Sequence, residues 1–293
     1  MGLVRLGLRV SPFSRRGFLL TTLGVATLAA CDAPKDGIGY DIVVPIIQSN
    51  ARGAATDYEA DTTDRYPDSV QMWLWPDGGN LPAREPLPNL DAFDGMGIAN
   101  TFVKDYAQHS LKDGRRVLVV NLARGGTGFS APGTNDKGPK LCWDHRAPDD
   151  ESNLALRAVE SLEKIRIQLG SGTHRYVAFL ANHGSTDGMN NLDKATFKAK
   201  LRDWISWLRQ QLGAEQASYL MMQMRPDLVA NELRHRLIDE GQAETAREMA
   251  SARVRYVPSP NGPEYFNQDP VHFNAAGVRE IGHRLYAAFN SQV

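Results

Sequence analysis

Six apolar runs alternate with stretches of helical periodicity from residue 41 to the C-terminus. The runs are 41–47, 70–75, 116–122, 176–180, 218–224 and 253–257. Most are continuous rather than alternating, as expected of strands covered on both faces. Between them, 154–169 places apolar residues at 154, 156, 159, 162, 165, 167 and 169, and 193–212 at 197, 201, 204, 205 and 208. Pro226 suits the first turn of a helix, and a charged, Ala-containing stretch follows it to about residue 252. The last helical pattern spans 275–290, with Val278, Ile281, Leu285 and Phe289 on one face. Strand-helix alternation predicts a three-layer α/β/α sandwich around a central parallel sheet. In such sheets reactive loops gather beyond the carboxyl ends of the strands. Stretches 77–97 and 125–150 are rich in Gly and Pro and read as long loops.

The first part of the chain reads as an address rather than as fold. Arg15-Arg16 precedes a short apolar region that ends in Leu28-Ala29-Ala30-Cys31. A basic region, a short apolar region and small residues before a processing site make a signal peptide. The paired arginines resemble a twin-arginine export signal. Leu28-Ala29-Ala30-Cys31 looks like the lipobox of bacterial lipoproteins, which implies lipidation at Cys31. The expected organisation is a signal over 1–31, a polar tether over 32–39 and one domain over 40–293. The expected location is the periplasmic side of a cell-envelope membrane, reached through the lipid anchor only. No stretch after residue 31 is long and apolar enough to span a bilayer. The formal net charge of −1 gives no bulk electrostatic case for nucleic acid. With Cys31 consumed, Cys142 has no partner, and a half-buried thiol is expected.

Four motifs follow predicted strands. Gln48-Ser49-Asn50 comes directly after the first run. A serine at such a turn exposes its hydroxyl at the sheet's carboxyl edge, although Ser49 or Asn50 can equally cap the next helix. Gly125-Gly126-Thr127-Gly128 allows close backbone approach and can free the Gly126 N–H for an oxyanion, or can form a tight turn. Asn182-His183-Gly184-Ser185 follows the fourth run, where Asn182 or His183 can donate to an oxyanion. Asp269-Pro270-Val271-His272 precedes the last helix. There Asp269 can accept from the imidazole and leave the other ring nitrogen free as a base. No His/Cys cluster has ligand spacing, so no metal and no cofactor are expected. The other histidines, His235 among them, read as surface residues.

In this order the motifs resemble those of the SGNH hydrolase superfamily, within it the carbohydrate esterases and sialate O-acetylesterase-like proteins. The resemblance runs from about residue 41 to the end. It implies a flavodoxin-like sandwich and a serine esterase that removes acyl groups, acetyl above all, from carbohydrate. Ser49 would be the nucleophile, His272 the general base and Asp269 its orienter. The oxyanion would meet Ser49, Gly126 and either Asn182 or His183. Gln48, Asn50 and Trp143 are candidate substrate contacts, Trp143 for stacking on a sugar ring. The sequence departs from the family pattern at Ile47 (usually Gly), His183 (usually Gln) and Ser185 (usually Glu). Two other readings stay open: a lipid or short-chain ester hydrolase of the same fold, and a carbohydrate-binding domain that has lost catalysis.

Overall fold

The structure, a computed structural model, describes residues 39–75, 78–89, 95–130 and 141–291. The expected signal segment, Cys31 and the tether up to residue 38 lie outside the described residues.

Seven strands form one sheet in the order β3-β2-β4-β1-β5-β6-β7. They are β1 (Gly39–Ile47), β2 (Val70–Trp73), β3 (Asn80–Pro82), β4 (Arg115–Val119), β5 (Arg175–Asn182), β6 (Ser218–Met222) and β7 (Val254–Val257). All neighbours pair parallel except β2 with β3. β1 lies at the centre and is buried at all nine positions. Its register against β5 sets Ile47 beside Asn182, so two of the motifs leave the sheet at neighbouring points.

The period-2 alternation of β1 divides its side chains between two cores. Tyr40, Ile42, Val44 and Ile46 join a cluster with helices α3 (Leu154–Gln168) and α5 (Lys194–Leu212). That cluster also takes Ile238 and Ala246 of α7 (Leu233–Glu248). Val43 joins a second cluster with α2 (Ala99–His109) and α8 (Ala275–Asn290). Helices therefore cover both faces, which is why the strands read as continuous apolar runs. Side-chain caps fix three helix starts: Asn153 Oδ1 accepts from Leu156 N–H at 3.1 Å, Asp193 Oδ1 from Thr196 N–H at 2.9 Å, and Asn274 Oδ1 from Gly277 N–H at 2.9 Å.

Three features differ from the sequence reading. α2 was not expected, although Ala99, Phe102, Val103 and Tyr106 carry a helical apolar stripe that packs on α8. β3 adds a short antiparallel edge inside the stretch read as loop. The pattern after Pro226 is broken at Glu232, whose extended backbone (φ −121°, ψ 107°) separates α6 (Pro226–Asn231) from α7.

Candidate active site

The first elbow begins at Ile47, whose φ of 85° turns the chain sharply off the end of β1. Gln48 precedes a single helical turn, α1 (Ser49–Arg52). Its carbonyl accepts from Ala51 and Arg52 N–H, while the Ser49 N–H is taken by no backbone acceptor among the described residues. Gly53 closes the turn at φ 131°, and a Cβ there would stand 2.1 Å from the Gly95 carbonyl oxygen, so only glycine fits.

The elbow and the C-terminal motif meet. His272 Nε2 lies 2.7 Å from Ser49 Oγ, although the two residues are 223 positions apart. His272 Nδ1 lies 3.0 Å from Asp269 Oδ1. With the proton on Nδ1 held by Asp269, Nε2 is free to accept from the Ser49 hydroxyl. Asp269 Oδ1 also accepts from the Val271 and His272 N–H groups, both at 2.9 Å. Partial burial works to raise the Asp269 carboxyl, but these N–H groups and the His272 ring outweigh it and hold it below the usual carboxylate range. Ser49 is 9% exposed, so its hydroxyl sits in a recess that still opens outward.

Asn50 locks this arrangement. Its Oδ1 accepts from Phe273 N–H at 3.2 Å, and its Nδ2 donates to the Val271 carbonyl at 3.4 Å. Its own N–H donates to Asn182 Oδ1 at 3.3 Å. That bond fixes the Asn182 amide with oxygen toward the elbow and leaves its buried Nδ2 without a partner among the described residues. The glycine loop is anchored to the same elbow. Gln48 Nε2 donates to the Thr127 carbonyl, and Trp143 Nε1 to Thr127 Oγ1 at 2.8 Å. Gly126, at φ 69°, forms the exposed tip.

Several sequence expectations are corrected here. His183 is fully buried and cannot serve at the rim. Its Nε2 lies 2.8 Å from Tyr219 Oη, which accepts from Trp204 Nε1 at 2.9 Å. The ring is stacked on Phe129 at 5.3 Å, and burial holds its pKa down to about 3, so it is neutral. Trp143 is 1% exposed and packs edge-on against Trp204, so it has no face for a sugar. Gln48 and Asn50 are likewise interior residues, and both hold loops. Cys142 is buried rather than half-buried. His235 is 3% exposed, its Nε2 lying 3.2 Å from the Ser185 carbonyl oxygen, and is no surface residue. No group of His, Cys, Asp and Glu able to hold a metal occurs among the described residues.

Two further residues shape the site. Asp187, in the short helix α4 (Ser185–Met189), accepts through Oδ1 from Ser130 N–H at 2.9 Å and Ser130 Oγ at 3.0 Å. A Cβ on Gly128 would lie 2.7 Å from that carboxylate, so the last glycine of the loop is there to admit it. Burial pushes the Asp187 carboxyl up to about 6 in spite of the Ser130 bonds. Arg225 follows β6 and reaches the loop of Asp269 and His272. The legible signal for both was position: each lies just past the carboxyl end of a strand.

The family model of carbohydrate esterases described as sialic acid-specific acetylesterases matches residues 40–291. The chain belongs to this family. It is thus a carboxylic ester hydrolase of the carbohydrate esterase group. No curated protein matches the chain. Among solved structures, NanS superposes with a TM-score of 0.68 at 13% identity, over 87% of this chain and 98% of that one. A protein of Arabidopsis thaliana gives 0.66 at 18% identity, over 86% and 98%. A carbohydrate acetylesterase of Xanthomonas citri gives 0.55 at 15% identity, over 85% of this chain and 55% of its own. At these identities the likeness is one of fold. Within the family pattern, Ile47 takes the glycine position before Gln-Ser-Asn and keeps a positive φ there. His183 takes the glutamine position but turns its ring into the core.

Proposed function

We propose that the protein removes acetyl groups from acetylated carbohydrate through a serine ester, with Ser49, His272 and Asp269 as the reacting unit. The observation that carries this reading is the 2.7 Å contact between Ser49 Oγ and His272 Nε2, backed by Asp269 at 3.0 Å. In this mechanism His272 takes the Ser49 proton as the oxygen attacks the ester carbonyl. Asp269 keeps the proton of Nδ1 in place and stabilises the imidazolium that forms. The tetrahedral oxyanion is held by the Ser49 and Gly126 N–H groups and by Asn182 Nδ2, a buried amide donor with no partner among the described residues. Each such donor is worth about 3 kcal/mol in the transition state. His272 then protonates the departing sugar oxygen, and water, activated by the same ring, releases acetate and the enzyme.

The proposal extends to the chain's location: Cys31 is lipidated, and the domain is exported and held at a membrane of the cell envelope. The test of the reaction is a small chromogenic acetyl ester and a panel of acetylated glycans, offered to the wild type and to Ser49→Ala. Turnover falls by several orders of magnitude in the variant, with the thermal midpoint unchanged. Undiminished hydrolysis by Ser49→Ala, or none by the wild type, overturns the reading, and the second result favours a carbohydrate-binding domain.

A further inference from the structure

The loop that carries Asp269 and His272 contains no regular strand or helix, yet it must hold two side chains in register with Ser49. One side chain from outside the loop gathers its backbone. Arg225 Nη1 donates to the carbonyls of Asn267 (3.3 Å) and His272 (3.4 Å), and also to that of Asp269. The same guanidinium lies over the Phe266 ring, its Cζ 4.1 Å from the centroid. Its other edge is held by Asp227, which accepts from Nε at 3.0 Å and from Nη2 at 2.6 Å. Arg225 is 6% exposed, so the charge is withdrawn from water and met by a carboxylate and three carbonyl dipoles.

We infer that Arg225, braced by Asp227, is the positioning residue that sets the Asp269–His272 loop against Ser49. This role rests on the proposed catalytic unit and goes beyond it. Carbonyls of both residues in the dyad point at one cation, so moving that cation moves both together. The planar fork of arginine satisfies Asp227 along one edge and the loop along the other while its face covers Phe266. Lysine supplies the charge but not the bidentate edge. Residue order supports the role: Arg225 leaves β6 one residue before Pro226, whose fixed φ starts α6 and stiffens the base of the arginine. A second outside tie, Asn50, reaches the loop from the elbow side through Val271 and Phe273. The loop is thus gripped from two elements of the sheet edge.

The test uses the full chain carrying Arg225→Met, Arg225→Lys, Asp227→Asn or, as control, Ser49→Ala. Each is assayed for kcat, KM and thermal midpoint on the acetyl ester, and for the rate of Ser49 phosphonylation by a fluorophosphonate. Arg225→Met is expected to lower kcat by about 10–100-fold with little change in KM, since a small misplacement of the base costs that much. Phosphonylation slows by a similar factor, because it too needs Ser49 activated by His272. Arg225→Lys recovers part of kcat, and Asp227→Asn, which keeps the arginine and loosens its brace, falls between. A folded Arg225→Met with wild-type kcat and labelling rate overturns the inference. If Arg225→Met does not fold, Asp227→Asn decides: wild-type kcat and labelling rate overturn it. Activity in Ser49→Ala identifies failure of the catalytic reading itself, whereas an inactive Ser49→Ala beside an unaffected Arg225→Met identifies failure of this inference alone.

Discussion

Ile47 holds a left-handed backbone that β-branched residues avoid, and it is 1% exposed within the main core. The two facts oppose each other in energy. The strained φ costs of order 1–3 kcal/mol, while burying an isoleucine and filling its space stabilises by about 2–5 kcal/mol. Packing wins, so the elbow keeps its sharp turn without the glycine that is usual there. The balance is measurable against Ile46, the preceding residue, which is equally buried and has no positive φ. Ile47→Gly relieves strain and Ile46→Gly does not. Urea denaturation is expected to show Ile47→Gly as the milder of the two by about 1–3 kcal/mol. Equal losses at both positions would mean that the turn stores no strain. The sequence showed that Ile47 departed from the pattern. It did not show which way the balance fell, because that depends on a core cluster assembled from residues distant in sequence, Trp143 and Phe129 among them.

Between elements, Asp187 holds the glycine loop beyond β4 to α4 through Ser130. Its folded pKa, about 6, stands above the ordinary aspartate value. The folded state therefore binds more protons than the unfolded chain between pH 4 and 6, and stability falls as pH rises through that window. A shift of about two units corresponds to roughly 2–3 kcal/mol. Asp187→Asn keeps an oxygen for Ser130 and cannot ionise. The difference in unfolding free energy between variant and wild type should grow in the variant's favour from pH 4 to pH 6 and then level off. A difference that stays flat with pH would show that Asp187 is not the titrating group. At this scale the strands were legible, since burial on both faces writes itself as an apolar run, and so was the last helix. α2 was passed over because only Phe102, Val103 and Tyr106 mark its stripe among polar neighbours. The meeting of Ser49 with His272 was legible from the order of motifs. The burial of His183 and Trp143 was not, because each faces a core built from α5 and β6, and no local pattern reports a facing surface.

Across the whole domain, chain entry and chemistry lie at opposite ends of the same strand. β1 begins at Gly39 and ends at Ile47, nine residues or about 30 Å of extended chain. The entry end is closed by Asp41, which is buried and accepts from Arg115 Nε at 2.8 Å, Arg175 Nε at 2.6 Å and Tyr106 Oη at 2.6 Å. Burial works to raise its carboxyl, but these donors outweigh it and hold it below the usual range, so it stays charged and keeps its ties at neutral pH. Every side chain assigned to the reaction lies between Ser49 and His272, and none lies in the segment before Gly39. The proposed anchor at Cys31 therefore decides where the enzyme is, not how fast it works. Cys31→Ala, made in the full chain and expressed in a bacterial host with metabolic palmitate labelling, is expected to lose the label and to leave the membrane fraction. Its kcat/KM on a soluble acetyl ester should remain within about two-fold of the lipidated form, the scatter expected where no transition-state contact is removed. Retained labelling would remove Cys31 as the lipidation site. A large loss of turnover on the soluble ester would show that the anchored segment contributes to the site.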